Sequence, residues 1–378
     1  MKPKAIVIVD SRGVLSSKNT YDLNRHMEYA NRITKVDQEI RFIVVTTNPS
    51  LKGSSKLGNL EILGYKGNRR LSPGFLYSVI NFINRETFQH ILIIAGDPWE
   101  SAINARLVGV FTHVKFSSQV QIHADVTSNA WTSLSLINRF RKFLLRFTLN
   151  KFDSIRVTSV EILTRISNLY EIPRSKMIVS NLRLNLDPQS MADQTQGRPR
   201  AISFVGRLDK DRGLDEFVEM MRKVAGLGLY VNIVGSGAHE EEFRNKLVEV
   251  LGLDRIRYWG ELKPQDMSTI WNQSGVLVST APSESFGRTI REAACFGIPV
   301  LGVASRGFKE FTTFAGVPWI RILDLDWNEL KTQTTVEELL RIETSLTVRE
   351  KILKIQEEQI DILIKDWLLL LENEDPFK

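Results

Sequence analysis

Two carboxylates eight residues apart, Glu284 and Glu292, lie in the segment TAPSESFGRTIREAACFGIPVL at 280–301. The segment follows an apolar run, turns through 283–287, and then reads as a helix ended by Gly297 with Pro299 beyond it. A strand, a tight turn and a helix N-terminus make an anion site. The first-turn amides of Gly287, Arg288 and Thr289 point out of the helix, and its partial positive end favours a phosphate. Arg288 adds a formal charge. Carboxylates on either side of such a phosphate would accept paired hydroxyl hydrogen bonds, as a sugar or ribose offers. Taken alone, the pair reads more simply as a turn residue and a solvated helix residue.

A second motif, VGRLDKDRG at 205–213, places Arg207 at the C-terminal end of an expected strand. Arg212 stands just before Gly213 and a helix from 214. Ligands of open α/β sheets bind outside those strand ends. Two guanidiniums there can grip a diphosphate through fork-shaped donors without a metal. The competing reading is a pair of surface arginines balanced by Asp209 and Asp211, which suits Arg212 better than Arg207. A third strand runs into VGSG at 234–237, a glycine turn centred on Gly235.

The elements that must hold these residues are short β-rich apolar runs separated by helical stretches, the pattern of parallel sheets flanked by helices. Strands are expected at 5–9, 42–46, 60–63, 90–95, 120–123, 154–158 and 177–180, then at 202–205, 230–234, 256–259, 276–279, 299–303 and 319–323. The fold class is α/β, with two doubly wound Rossmann-like domains in series. The first is placed at 1–184 and the second at 201–345, joined by a polar linker at 185–200 that carries Pro188, Gly197 and Pro199. From 346 to 378 the spacing of Ile360, Leu363, Ile364, Trp367 and Leu371 marks one face of a long closing helix that packs back towards the first domain.

The 378 residues, 43% hydrophobic and 25% charged, suffice for two buried cores and exclude a disordered chain. Cys295 is the only cysteine, so no internal disulfide or cysteine-based zinc site can form. No secretory signal and no membrane span are expected. The net charge of +6 divides unevenly: residues 1–200 hold 28 Lys and Arg against 15 Asp and Glu, and residues 201–378 hold 22 against 29. The basic half suits an anionic partner, and the acidic half argues against nucleic acid wrapping the molecule.

In combination, VGRL with Arg212-Gly213, then IVGSG, then Glu284-Ser-Phe-Gly with its spacing to Glu292, then FGIPVL, resemble retaining glycosyltransferases of glycosyltransferase family 4. The likeness spans about residues 201–303. Upstream, GDPW at 96–99, QIHAD at 121–125 and DSIRVTS at 153–159 look like the family's acceptor-side domain. The resemblance implies the two-domain GT-B fold and a cytoplasmic enzyme that moves a sugar from a nucleotide-sugar donor to an acceptor hydroxyl with retention. It implies that Arg207 and Arg212 hold the donor diphosphate, assisted by the amides at 287–289, while Glu292 binds the ribose. Glu284 and the backbone at Phe286 would contact the transferred sugar, and His123 would reach in from the first domain. A satisfied histidine at a strand end is an equal reading of His123. Base recognition would rest partly on the main chain near Arg257 and Tyr258. No metal or other cofactor is expected, since fixed positive groups meet the charge of the departing diphosphate. Two departures stand out. The family usually has lysine where this chain has Arg212, and often a paired-glycine loop where this chain has Asp10-Ser11-Arg12-Gly13. Arg12 and Gly13 could still face the donor.

Other readings fit less well. Asp209/Asp211 and Asp324/Asp326 have the Asp-x-Asp spacing of a metal-dependent transferase, but the first pair is interleaved with the arginines and the second lies late in the chain. A nucleotide-sugar epimerase would not need the paired glutamates, and no G-x-G-x-x-G follows the first strand for a dinucleotide oxidoreductase. A non-catalytic partner that keeps the fold remains the alternative from another class. Finally, LINRFRKFLLRFTLNKF at 136–152 is a basic amphipathic helix. Its stripe of Phe140, Phe143, Leu144 and Phe147 fits either packing against the core or contact with an anionic membrane surface, which would suit a glycan or lipid-linked acceptor of envelope polysaccharide or glycolipid synthesis.

Overall fold

The computed structural model describes residues 2–11, 13, 20–48, 53–65, 72–123, 126–127, 129–133, 135–184 and 198–372. Contacts divide the chain into two compact units. The first comprises Met1–Thr127, Ser135–Arg183 and Glu357–Lys378, and the second Ser128–Leu134 and Leu184–Gln356. Most of the expected linker, 185–197, lies outside the described residues.

The first unit runs β1 (Lys4–Asp10), α1 (Thr20–Val36), β2 (Ile40–Thr46), β3 (Gly53–Leu57), β4 (Leu60–Gly64), α2 (Pro73–Arg85), β5 (His90–Ala95), α3 (Glu100–Phe111) and β6 (Lys115–Ile122). After α4 (Asn129–Ser133), whose residues are grouped with the second unit, it continues with α5 (Leu136–Thr148), β7 (Ser154–Val157), α6 (Val160–Tyr170) and β8 (Met177–Val179). Its sheet has the order β3-β4-β2-β1-β5-β6-β7-β8 and is parallel except for β3, which pairs antiparallel with β4. The central strands are continuous apolar runs because both faces are covered, as parallel sheets require. Every expected strand is present. The one not anticipated is β3, GSSKL, whose five residues are all exposed and so carry no apolar alternation.

The second unit runs β9 (Ala201–Val205), α7 (Leu214–Val224), β10 (Tyr230–Val234), α8 (Glu240–Leu251), β11 (Ile256–Gly260), α9 (Met267–Asn272), β12 (Val276–Ser279), α10 (Arg288–Cys295), β13 (Val300–Val303), α11 (Arg306–Ala315), β14 (Ile320–Leu323) and α12 (Glu329–Arg341). All six strands are parallel, in the order β11-β10-β9-β12-β13-β14. The rings of Phe204, Phe217 and Phe243 meet under β9 with centroids 5.0–5.9 Å apart. Strand order reverses between β9 and β12, so the loops leaving these two strands diverge to opposite faces and leave a crevice at their C-terminal ends.

The last helix, α13 (Thr347–Glu372), begins in the second unit and from Glu357 belongs to the first. Its Ile360, Leu363, Ile364, Trp367, Leu370 and Leu371 share a core with Ile6, Phe42 and Leu92 of the first sheet. Trp367 stacks edge-on to Tyr29 and donates its indole N–H to Gln119 Oε1 at 2.9 Å. Beside it Asp366 accepts from Gln119 Nε2 and Ser154 Oγ, and burial raises its carboxyl to about 6. Burying a ring of this size against a sheet is worth about 3–5 kcal/mol when judged by truncation to alanine.

Candidate functional site

The loops after β9, β10 and β12 are held together by close backbone approaches that only glycine permits. Gly213 has φ +69°, and a Cβ there would lie 2.1 Å from the Thr280 carbonyl oxygen; Thr280 Oγ1 in turn donates to the Gly213 carbonyl at 2.7 Å. Gly235 has φ +133°, and a Cβ would lie 1.9 Å from the Gly206 carbonyl oxygen. The VGRL, VGSG and TAPSESFG segments thus form one surface over the ends of three strands.

A recess opens there, lined by Gly206, Arg212, Thr280, Glu284, Gly287 and Thr289 among others. Arg212 Nη1 lies 2.5 Å from Glu284 Oε1, and both side chains are mostly buried. The Arg212 Nε is buried without a hydrogen-bond partner. Gly287 caps α10, whose first turn starts at the recess with Arg288 and Thr289 and turns its positive dipole end towards it. Arg288 is half-exposed, with Nε 3.4 Å from Glu292 Oε1. Glu292 itself is not a solvated helix residue. Its side chain is 13% exposed, and burial raises its carboxyl to about 7, against a smaller opposing effect of Arg288.

The two arginines differ in the reverse of the expected sense. Arg207 is the one balanced by aspartates: it is 58% exposed and binds both Asp209 and Asp211, the latter at 2.8 Å. Arg212 instead reaches Glu284. The cause is local: a single 3-10 turn, Lys210–Arg212, wraps Asp209 and Asp211 around Arg207 and swings Arg212 towards β12. Asp209 and Asp211 are thereby committed to a guanidinium. At the second Asp-x-Asp, Asp324 Oδ1 accepts from the Asp326 amide at 3.0 Å, an exposed turn. Among the described residues, no three His, Cys, Asp or Glu side chains are grouped as metal ligands.

Tyr258 lies at the edge of the same loops, its hydroxyl donating to the Gly235 carbonyl at 3.3 Å. Burial and the neighbouring Glu240 push the phenol up to about 12. Phe286 is buried, and behind it stands Arg291, which the sequence reading did not single out. Its guanidinium sits 4.1 Å from the Phe286 ring centroid and 4.6 Å from that of Phe311. Burial lowers it to about 10 and leaves Nη1 without a hydrogen bond. A cation held between two aromatic faces fixes the loop that carries Glu284. Gly307 closes that loop from behind, its amide donating to the Glu284 carbonyl at 2.9 Å. An arginine on the apolar side of a predicted helix was the available signal for Arg291; nothing in the sequence marks Gly307.

In the first unit His123 stands one residue past β6. Burial, then Arg156 and Arg25, lowers its imidazole to about 3, so it is neutral near pH 7 and can serve as a hydrogen-bond donor but not as a charge. His26 on α1 is lowered to about 3 by burial and Arg25 and shares these neighbours, a grouping the sequence reading missed. Gly13 follows β1, its amide donating to the Asp10 carbonyl at 3.2 Å and its carbonyl accepting from Asn48 Nδ2 at 2.9 Å. Arg12 lies outside the described residues. No helix among the described residues is long and apolar enough to cross a membrane.

Residues 189–314 match the sequence family described as Glycosyl transferases group 1. Over 101 residues the chain is 31% identical to an uncharacterised 41.2 kDa protein in the cps region of Klebsiella pneumoniae, covering 26% of each chain. Over 116 residues it is 31% identical to the D-inositol 3-phosphate glycosyltransferase of Corynebacterium aurimucosum, covering 29% of this chain and 28% of that one. The matched stretch is therefore little more than a quarter of either relative's length. Across 96% of this chain and 99% of the other, the fold superposes on Anabaena HepE, solved with UDP-glucose, with a TM-score of 0.67 at 12% identity. The fold is that of the two-domain α/β GT-B glycosyltransferases.

Proposed function

We propose that the protein is a nucleotide-sugar-dependent glycosyltransferase that acts with retention and without a metal. The observation that carries this reading is the recess at the β9–β12 crossover, where the Arg212–Glu284 pair and the start of α10 converge, with Glu292 buried one turn further along that helix. The donor diphosphate lies against the end of α10 and the Arg212 guanidinium, with Arg207 exchanging an aspartate for a phosphate oxygen. Glu292 accepts from the ribose hydroxyls, and the base rests near Gly235 and Tyr258. Glu284 and the Phe286 backbone hold the sugar.

The bond between the anomeric carbon and the diphosphate oxygen breaks, and a bond to the acceptor oxygen forms on the same face. The acceptor proton passes to the leaving phosphate, whose developing charge is met by fixed positive groups. Glu284 positions and stabilises; it need not act as a nucleophile. The acceptor is a glycan or lipid-linked sugar of envelope or surface polysaccharide, a reading supported by the cps-region origin of one relative. The reaction belongs on the cytoplasmic side, where nucleotide sugars are made.

The test is release of nucleoside diphosphate from UDP-, GDP-, ADP- and CDP-sugars in the presence of envelope glycan fractions, with and without EDTA, and NMR of the product anomer. One donor consumed in EDTA with the donor's anomeric configuration kept supports the proposal. Nucleotide binding with no turnover would make the chain a non-catalytic partner, and loss of turnover in EDTA would remove the metal-free mechanism.

A further inference from the structure

Helix α5 is amphipathic in the reverse sense to a core helix. Leu145, together with Leu149 just beyond the helix end, is fully buried, and Tyr170 of α6 donates to the Lys142 carbonyl at 3.0 Å. Leu136, Phe140, Phe143 and Phe147, spaced four, three and four apart, project the opposite way. These four side chains and Ile137 are 56–78% exposed. Of the stripe read from the sequence, Phe140, Phe143 and Phe147 are exposed and only Leu144 is partly buried, so the three rings do not pack into the core. The rings of Phe143 and Phe147 touch edge to face at 5.4 Å, so the stripe is a continuous apolar ridge.

The ridge has a charged margin. Arg139, Arg146 and Lys151 are exposed, and among the described residues none of them pairs with a carboxylate. On the other flank Arg141 is held at 2.7 Å by Glu100 and lies 5.7 Å over the Trp99 ring, which fixes the helix in place. The unpaired cations lie beside the aromatic ridge, in a half of the chain that carries an excess of 13 positive charges.

We propose that α5 docks the protein on an anionic phospholipid surface, lying in the interface with Phe140, Phe143 and Phe147 among the acyl chains and Arg139, Arg146 and Lys151 at the headgroups. An apolar ridge rimmed by unpaired cations fits an anionic bilayer better than it fits a second copy of itself, which would set like charges against each other. The inference does not depend on the proposed enzyme activity.

The test is flotation of the full-length protein with vesicles of phosphatidylcholine and phosphatidylglycerol at about 7:3, and with phosphatidylcholine alone. The wild-type protein should float only with the anionic vesicles and be released at about 0.5 M salt. Replacing Phe140, Phe143 and Phe147 by serine should weaken partitioning by at least about ten-fold. Arg139→Gln with Arg146→Gln should weaken it about five-fold for each cation removed. Because every replaced side chain is exposed, circular dichroism and thermal unfolding should match wild type; if the triple serine variant fails to fold, the glutamine pair decides the matter alone. No flotation of wild type, flotation unchanged in folded variants, or a dimer in light scattering that the serine variant dissociates would overturn the proposal.

Discussion

Glu292→Gln should raise stability and lower donor affinity together. In the ligand-free protein burial raises the Glu292 carboxyl from 4.5 to about 7. A group raised in this way contributes stability that is fully present below its unfolded value and lost as pH rises through about 7. The side chain is mostly buried and little screened by solvent, so the shift corresponds to about 3 kcal/mol at pH 8. Glutamine removes the ionisation, so Tm of the variant should exceed wild type by about 5–10 °C at pH 8 and match it near pH 4. Binding should move the other way. The ionised fraction of wild-type Glu292 rises from about one-tenth at pH 6 to about nine-tenths at pH 8. If the carboxylate receives the ribose hydroxyls, a nucleotide sugar, whose diphosphate does not titrate in this range, should bind about ten-fold tighter at pH 8 than at pH 6. The variant should lose this dependence and bind at least about ten-fold more weakly at pH 8. Differential scanning fluorimetry and isothermal titration across pH 6–8 read both effects. A variant with wild-type Tm and wild-type affinity throughout would refute the placement of Glu292 as a buried acid waiting for a hydroxylic ligand.

Gly213→Ala sets a Cβ 2.1 Å from the Thr280 carbonyl in a left-handed conformation, so urea denaturation should show a loss of at least about 2 kcal/mol. Arg212→Ala leaves the mostly buried Glu284 without its cation and should cost about 1–3 kcal/mol of stability and about a hundred-fold in donor affinity. Arg212→Lys keeps the charge and should bind donor within about ten-fold of wild type; equal losses in both variants would mean that the guanidinium fork itself is required.

Much of the fold was legible because parallel strands buried on both faces are continuous apolar runs, as at IVIV in β1 and ILII in β5. Strand β3 was not, since an exposed edge strand of Gly, Ser and Lys has no pattern to read. The site was legible as an order of short segments, each at a strand's C-terminal end. The partners of its charges were not. The Arg212–Glu284 contact joins residues 72 apart in sequence, and it depends on a one-turn 3-10 helix that the sequence does not distinguish from a loop. The same limit applies to α5, where apolar residues on both sides left the buried face undecided until Leu145 was seen inside and the phenylalanines outside. Arg291 was hidden for a related reason: an arginine on a helix is ordinarily solvated, and here the rings of Phe286 and Phe311 and the charges of Glu310 and Glu284 offset its burial.

The most direct measurement is calorimetric titration of the wild-type protein and of Arg212→Ala and Glu292→Gln with UDP, GDP, ADP and CDP in the presence of EDTA. One nucleotide should bind the wild-type protein at a single site, and each substitution should weaken that binding by about ten-fold or more. Failure of all four to bind, or binding that both folded variants retain in full, would contradict a donor site at the ends of β9 and β12.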